Sequence, residues 1–158
     1  MSDSVDVLVI GAGPAGSATA RHLARDGFRV LTVDRAEFPR DKACSEYMGP
    51  ETVRLLDRLG VVADLEAAGA QPLHGTTVVG ARGARLTGLF ALASFPPFRA
   101  TGLSVARRVL DHHLVQAARA AGAEVAEGVS AEQLIYDEGA VAGAVLRDPG
   151  GGQRTVRA

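Results

Sequence analysis

The opening thirty or so residues constrain the fold more than any other stretch of this chain. An apolar run, Val7–Ile10, leads into three glycines, Gly11, Gly13 and Gly16. A helical pattern follows, and a second apolar run then ends on Asp34. This order predicts a strand, a tight turn, a helix and a second, parallel strand, which is the βαβ unit of an α/β fold.

Each glycine of this turn has a mechanical reason to be there. Gly11 permits a tight turn off the strand, Gly13 allows the backbone to approach a pyrophosphate, and Gly16 lets the helix pack near the strand. The helix start offers unpaired N–H groups to phosphates. Asp34 lies roughly twenty residues further on, where a carboxylate accepts hydrogen bonds from ribose hydroxyls. The pattern therefore predicts dinucleotide binding; a glycine-rich turn without a ligand explains neither Asp34 nor the spacing.

The rest of the chain predicts further helices, a β-rich insertion rather than another βα unit, and a C-terminal run of strands. Helices are predicted over 14–26, 50–59, 61–68 and 107–122, each followed by a glycine or ending on one. Short strands are predicted for the following segments: 74–80, 84–90, 91–95, 101–106, and 123–128 returning to the parallel sheet. The C-terminal segments near 130–136, 140–147 and 153–157 predict a β-meander.

The composition of the chain argues against some classes of binding partner. Lys and Arg number 17 against 18 Asp and Glu, so the charge is nearly balanced and no nucleic-acid partner is expected. There is no Trp, and no apolar run approaches the ~20 residues of a membrane span. A single cysteine and an N-terminus that enters the first strand at once fit a cytoplasmic protein without a signal peptide.

The loop after Asp34 is basic and contains the single cysteine. Arg35, Arg40 and Lys42 suit a loop that faces phosphates, although a solvated surface loop would have the same composition. Cys44 fits a small buried hydrophobe equally well. His112 and His113 are adjacent on a predicted helix and point about 100° apart, which favours surface or packing roles, and no metal site is predicted.

Three segments together resemble a known family. They are GAGPAGSATA, DRAEFPRDKACSE and LSVARRVLDHHLVQAARAAGAEV. In combination they are similar to FAD-dependent oxidoreductases of the p-hydroxybenzoate hydroxylase-like superfamily, nearest to its geranylgeranyl reductase, aromatic monooxygenase and flavin-dependent halogenase branches. The similarity extends over nearly the whole chain. It implies a Rossmann-like FAD-binding domain with a parallel sheet, a β-meander and a small β-rich insertion.

The resemblance also implies cofactor-binding roles for individual residues. The first turn would hold the FAD pyrophosphate through its backbone, at these positions: Gly11, Gly13, Pro14, Ala15 and Gly16. Asp34 would bind the adenosine ribose, and Arg35 would lie over the adenine side. A backbone group of Ala131 would meet the adenine.

The remaining implied roles concern the phosphates and the flavin ring. Arg40 and Lys42 belong to the loop that runs toward both, and Arg107 matches an arginine that reaches the phosphate region. Cys44 and Ser45 match a Cys-Gly pair that approaches the isoalloxazine edge, with serine here in place of the usual glycine.

The resemblance implies a domain layout as well. Residues 1–158 correspond to the N-terminal portion of the FAD-binding domain, and 72–104 form a β-rich insertion toward the substrate and flavin side. The family's later Gly-Ala-Asp-Gly and Gly-Asp motifs are not in this sequence, so we expect a chain truncated relative to the family and inactive alone. A small-molecule substrate would be bound by the remainder.

The function that follows is the FAD-binding portion of an NAD(P)H-dependent flavoprotein oxidoreductase, either a monooxygenase or a double-bond reductase. No residue is assigned as catalytic. One alternative is an NAD(P)-binding Rossmann domain, in which Asp34 would suit NAD and Arg35 a 2′-phosphate. Another is a non-catalytic nucleotide-binding module that associates through an exposed sheet surface.

Overall fold

The structure, a computed structural model, describes residues 3–158, which divide into two compact units. The first unit contains the chain up to Asp41 together with Leu110–Ala158, and the second contains Lys42–Val109. The helices are α1 (Pro14–Arg25), α2 (Pro50–Arg58), α3 (Val62–Ala67) and α4 (Arg107–Ala120). The strands, in chain order, are β1 (Asp3–Ser4), β2 (Val7–Ile10), β3 (Val30–Asp34), β4 (Tyr47–Met48), β5 (Gln71–Leu73), β6 (Gly75–Val79), β7 (Arg85–Leu89), β8 (Gly102–Ser104), β9 (Glu124–Glu127), β10 (Ser130–Asp137), β11 (Ala140–Arg147) and β12 (Gln153–Arg157).

A three-stranded parallel sheet organises the first unit. Its order is β2-β3-β9, with Leu8 opposite Leu31 and Val33 opposite Ala126. Helix α1 connects β2 to β3, and β9 follows α4 back into the sheet. The βαβ unit and the return of residues 123–128 to the parallel sheet are therefore both confirmed.

The central strand of this sheet is buried on both faces. Leu31 and Val33 pack on one side against residues of the meander: Val129, Ala144, Leu146 and Val156. Val30 packs on the other side with three alanines: Ala20, Ala118 and Ala123. Burial on both faces explains why the apolar residues of β3 do not alternate with exposed ones, and why Thr32 between them is buried as well.

An antiparallel meander forms the second sheet of the first unit, in the order β1-β12-β11-β10. The three predicted meander strands are confirmed. Glu138 and Gly139 both have positive φ, 47° and 84°, as a two-residue hairpin turn requires. Strand β1, parallel to β12, is not predicted by the sequence, because two residues carry no pattern until a distant strand pairs with them.

The helix ends follow the glycines of the sequence. At the end of α1, Gly27 has φ 92°, its N–H donates to the Ala24 carbonyl, and Phe28 N–H donates to the Leu23 carbonyl. This is the Schellman arrangement, which satisfies two of the last carbonyls of a helix. The same pair of bonds recurs at Gly60, Gly69 and Gly122. All four predicted helices are confirmed to within a few residues at each end.

The second unit contains a small sheet, order β4-β8-β5, the helices α2 and α3, and the β6–β7 hairpin. The predicted strand over 91–95 is wrong. Phe90–Leu92 is a 3₁₀ turn, and Leu92 and Phe95 are 77% and 75% exposed, because no strand within residues 3–158 pairs with this apolar segment. Strands β4 and β5 were not predicted, since each forms only by pairing with β8.

Within residues 3–158, no helix has the length and apolar character needed to cross a bilayer.

The core of the first unit gives a test of the fold. Leu146→Ala removes a fully buried side chain of β11 and should lower the free energy of unfolding by about 2–5 kcal/mol, measured by urea denaturation. Leu134→Ala on β10, where the leucine is 41% exposed, is the matched control and should cost less than about 1 kcal/mol. Equal losses for the two variants would contradict this packing.

Candidate functional site

The glycine-rich turn between β2 and α1 is held by close backbone contacts. Gly11 has φ 102°, and its N–H donates to the Val33 carbonyl at 2.7 Å. A Cβ on Gly16 would lie 1.8 Å from the Gly11 carbonyl oxygen, so only glycine fits there. The Ser17 hydroxyl donates to the Ala12 carbonyl at 2.9 Å and is buried. The turn therefore has one tight geometry.

The start of α1 is open to a ligand. Gly13 is the N-cap residue, with extended backbone, and Pro14, which has no N–H, is the first helical residue. No side chain among the described residues caps this start. The first N–H groups of a helix have no acceptor within it, and they carry the positive end of the helix dipole. The amides of Ala15 and Gly16 are thus suited to bind an anion.

The carboxylate of Asp34 ties the end of β3 to this turn. Its Oδ2 accepts a hydrogen bond from the Ala12 N–H at 2.8 Å, and its Oδ1 accepts one from the Ala36 N–H at 2.9 Å. Each carboxylate oxygen can accept a second hydrogen bond. The half-buried group can therefore fix the turn and still accept hydrogen bonds from a ligand's hydroxyl groups.

A crevice of about 320 Å³ opens beside Asp34, at the carboxyl end of β2 and β3. This volume is at the lower end of the range of small-molecule sites, about 300–1,000 Å³, and suits one half of a dinucleotide. Its lining residues are Ile10, Gly11, Val33, Asp34, Arg35, Val129, Ser130 and Ala131. The structure thus brings together four residues that the sequence analysis named separately: Gly11, Asp34, Arg35 and Ala131.

Arg40 lies near the same helix start. Its Nη2 is 3.7 Å from the position that a Cβ on Gly13 would occupy, and its guanidinium carbon is 5.0 Å from the centroid of the Phe38 ring. Its Nη1 lies 3.2 Å from Oδ2 of Asp111, which is fully buried. The distance makes an ion pair, but Nη1 has no well-aligned hydrogen bond among the described residues.

The sequence does not single out Asp111 as a site residue. It lies on α4 among buried apolar residues: Leu110, Leu114, Val115 and Ala118. An acidic residue inside an apolar helix stripe is the sequence signal that was available, because a carboxylate is almost never fully buried without a partner.

Four predicted site residues fall in the second unit. Lys42, Cys44 and Ser45 are exposed, and Arg107 is half-buried. The reading of Cys44 as a buried hydrophobe is wrong, since its side chain is exposed.

The environment of Cys44 favours its thiolate. The Glu46 N–H lies 3.5 Å from Sγ, and this hydrogen bond, followed by one from the Arg107 side chain, lowers the pKa of the thiol. Such electropositive surroundings are typical of reactive cysteines.

The two histidines show no metal-binding arrangement. The ring centroids of His112 and His113 are 5.8 Å apart, edge to face. No group of three or more His, Cys, Asp or Glu in residues 3–158 is placed to hold a metal ion.

Comparison with known sequences gives consistent relatives. The model of the FAD binding domain family matches residues 4–158. Menaquinone reductase from Mycolicibacterium smegmatis is 36% identical over 154 residues, covering 95% of this chain and 35% of that protein. Digeranylgeranylglycerophospholipid reductase from Methanosarcina acetivorans is 33% identical over 154 residues, with the same coverage. The chain thus spans about a third of the length of these relatives.

Solved structures agree. The myxobacterial chondrochloren halogenase has a TM-score of 0.90 at 27% identity, over 99% of this chain and 36% of that one. A geranylgeranyl bacteriochlorophyll reductase-like protein from Thermoplasma acidophilum has a TM-score of 0.83 at 27% identity, over 100% and 38%. The predicted Rossmann-like α/β fold with a meander is confirmed by these similarities.

The turn geometry makes Gly16→Ala a sharp test. Helix propensity alone would favour alanine by about 1 kcal/mol, but the clash with the Gly11 carbonyl should instead destabilise the protein by about 1–3 kcal/mol. Thermal unfolding followed by circular dichroism measures the sign. Gly13→Ala is the control, because its backbone suits any residue and its Cβ would make ordinary contact; it should melt near the original protein.

The environment of Cys44 predicts a pH dependence. Because the pKa of the thiol is lowered from 9.0, its alkylation by iodoacetamide should reach half-maximal rate below that pH. Arg107→Met removes the cation beside the thiol and should raise the pH at which alkylation is half-maximal. Arg108→Met, which removes an exposed arginine next in the chain, should leave that pH unchanged. The chain has a single cysteine, so mass spectrometry reads this site alone. A midpoint unchanged by Arg107→Met would contradict the contact.

Proposed function

This chain belongs to the FAD binding domain family, and from that premise we propose that it is the FAD-binding portion of an NAD(P)H-dependent flavoprotein oxidoreductase. The observation that carries the proposal is the hydrogen bond from the Ala12 N–H to Asp34, which joins the glycine-rich turn to the acidic end of β3. The bond joins the turn before the helix start that would bind phosphate to the carboxylate that would bind ribose, and Gly11 and Asp34 line one crevice.

The diphosphate would be bound mainly by backbone. Gly13 presents no Cβ at the helix start, and Ala15 and Gly16 contribute N–H groups at the positive end of the helix dipole. Pro14 and Gly11 set the backbone path of this segment. The Arg40 guanidinium, close to Gly13, would add a cation to the same anion. The residues present therefore fit a dinucleotide.

The nucleoside half would be held beside β3. Asp34 keeps acceptor capacity on both oxygens for the ribose hydroxyls. Arg35 and Ala131 line the same crevice, which supports the roles beside adenine that the family resemblance implies.

Residues of the second unit would serve the phosphates and the flavin. We assign Lys42 and Arg107 to the phosphate side, and Cys44 and Ser45 to the isoalloxazine edge, on the strength of the family motif. Residues 72–104 would contribute to the substrate side. Since Ser45 carries a Cβ where the related pair has glycine, its backbone would approach a ring less closely.

The chemistry of the complete enzyme belongs to its cofactor. When it is bound, FAD supplies the redox chemistry of the enzyme, which is uptake of a hydride from NAD(P)H followed by either reduction of a double bond or activation of O₂. A double-bond reductase is the first choice, because relatives of 33–37% identity are the menaquinone and digeranylgeranylglycerophospholipid reductases. Squalene epoxidase 5 of Arabidopsis thaliana, at 30% identity, supports the monooxygenase alternative.

A nicotinamide-binding domain is the second candidate, and the exposed Arg35 beside Asp34 is the observation that favours it. Thermal stabilisation separates the two candidates, because the true ligand stabilises by mass action, by about 2.7 kcal/mol at 100 times its Kd. We expect FAD to raise the melting temperature well above the effect of NADH or NADPH at equal concentration. A larger shift with either nicotinamide would favour the second candidate.

The binding residues can be tested by titration of the purified chain with FAD, followed by flavin fluorescence. Gly13→Ala should weaken binding by about tenfold or more, because a methyl group would stand between the backbone and the diphosphate. Asp34→Ala should weaken it similarly through the loss of ribose contacts and of the bond to the turn. Unchanged affinity in both folded variants, or no FAD binding by the original chain, would contradict the proposal.

A further inference from the structure

A buried ion pair, Arg40 with Asp111, lies close to the start of α1. Asp111 of α4 has no exposed side-chain surface, and the Arg40 side chain opposite it is only 18% exposed. An ion pair that is removed from water gains little net stability, because desolvation of both charges offsets their attraction. The pair therefore calls for an explanation other than stability.

The guanidinium is held where electrostatics disfavour it. Arg40 Nη2 lies close to Gly13, the N-cap of α1, and the start of a helix carries a positive partial charge. A cation at this end is repelled unless an anion lies between the two. Asp111 supplies a negative charge on one side of Arg40, and Phe38 contacts the guanidinium within cation–π distance. The side chain is thus fixed from two directions, close to the helix start.

We propose that Asp111 is a positioning residue, which holds Arg40 so that its guanidinium and the amides of α1 bind the same diphosphate. The inference rests on the proposed nucleotide function and adds a residue to it. A long arginine side chain loses considerable rotamer freedom when it binds an anion. Because Asp111 and Phe38 restrict Arg40 beforehand, less of this loss falls on the binding step.

A merely structural tether makes a different prediction. If Asp111 only anchored the loop that carries Arg40, its loss would disorder the whole crevice. The affinities for adenosine and for adenosine diphosphate would then fall equally. If it positions Arg40 for the diphosphate, only the ligand with the diphosphate loses affinity. Adenosine and ADP are therefore the discriminating pair of probes, and neither contains a flavin.

The experiment compares Asp111→Asn, Arg40→Met and the double variant by calorimetric titration with ADP, adenosine and inorganic pyrophosphate. Asp111→Asn should lower the affinities for ADP and pyrophosphate by about tenfold and leave the affinity for adenosine unchanged. In the Arg40→Met background, Asp111→Asn should have no further effect on ADP, because the two residues act as one unit. Asp137→Asn breaks the exposed pair with Arg157 and is the matched control; its affinities should equal those of the original chain.

A second variant of Asp111 covers the case in which the first does not fold. Should Asp111→Asn fail to fold, Asp111→Glu replaces it, because glutamate keeps the charge and moves it by one methylene group. This variant should lower the affinity for ADP and leave the affinity for adenosine unchanged. Equal losses for ADP and adenosine, or additive effects of the two single variants, would overturn the positioning role. FAD binding without any loss in Asp111→Asn would overturn it too and leave the proposed function intact. Absence of FAD, ADP and pyrophosphate binding by the original chain would overturn both.

Discussion

The hydrogen bond between the Ala12 N–H and the Asp34 carboxylate is the contact on which the site depends. It ties the turn after the first strand of the parallel sheet to the end of the second. Gly11 reinforces the junction through its bond to the Val33 carbonyl. With both strand ends fixed, Gly11 and Asp34 line one crevice at the carboxyl ends of β2 and β3. The proposed nucleotide site would depend on these two short hydrogen bonds, one to a carboxylate and one to a carbonyl, rather than on a large cavity.

The proposed anion site would combine main-chain and side-chain charge. Backbone amides give a fixed geometry, since Gly16 admits no other residue, but they carry only partial charge. Arg40 contributes a full charge on a flexible side chain, and its pairing with buried Asp111 restrains it. The chain spans about a third of its relatives' length.

Sequence reasoning succeeded where the determining interactions are local. Helix ends at Gly27 and Gly122 were readable because a left-handed residue must follow the last helical turn. It failed where a strand exists only through its partner. Residues 91–95 have a strand's composition but no neighbour, whereas β4 and β5 have almost no pattern and pair with β8. The exposure of Cys44 was equally out of reach, since burial of a single cysteine depends on what folds over it.

By itself the sequence determined the βαβ unit, the tight turn and the helix limits, because each rests on sterics and hydrogen bonding within a few residues. It also indicated the family, through the resemblance of three motifs. Only the tertiary structure decided that Asp34 binds the turn as well as facing the crevice, and that Asp111 is the partner of Arg40. These contacts join residues far apart in the chain. Local propensity is silent about such pairs, and only the packing of sheet and helices brings the charges together.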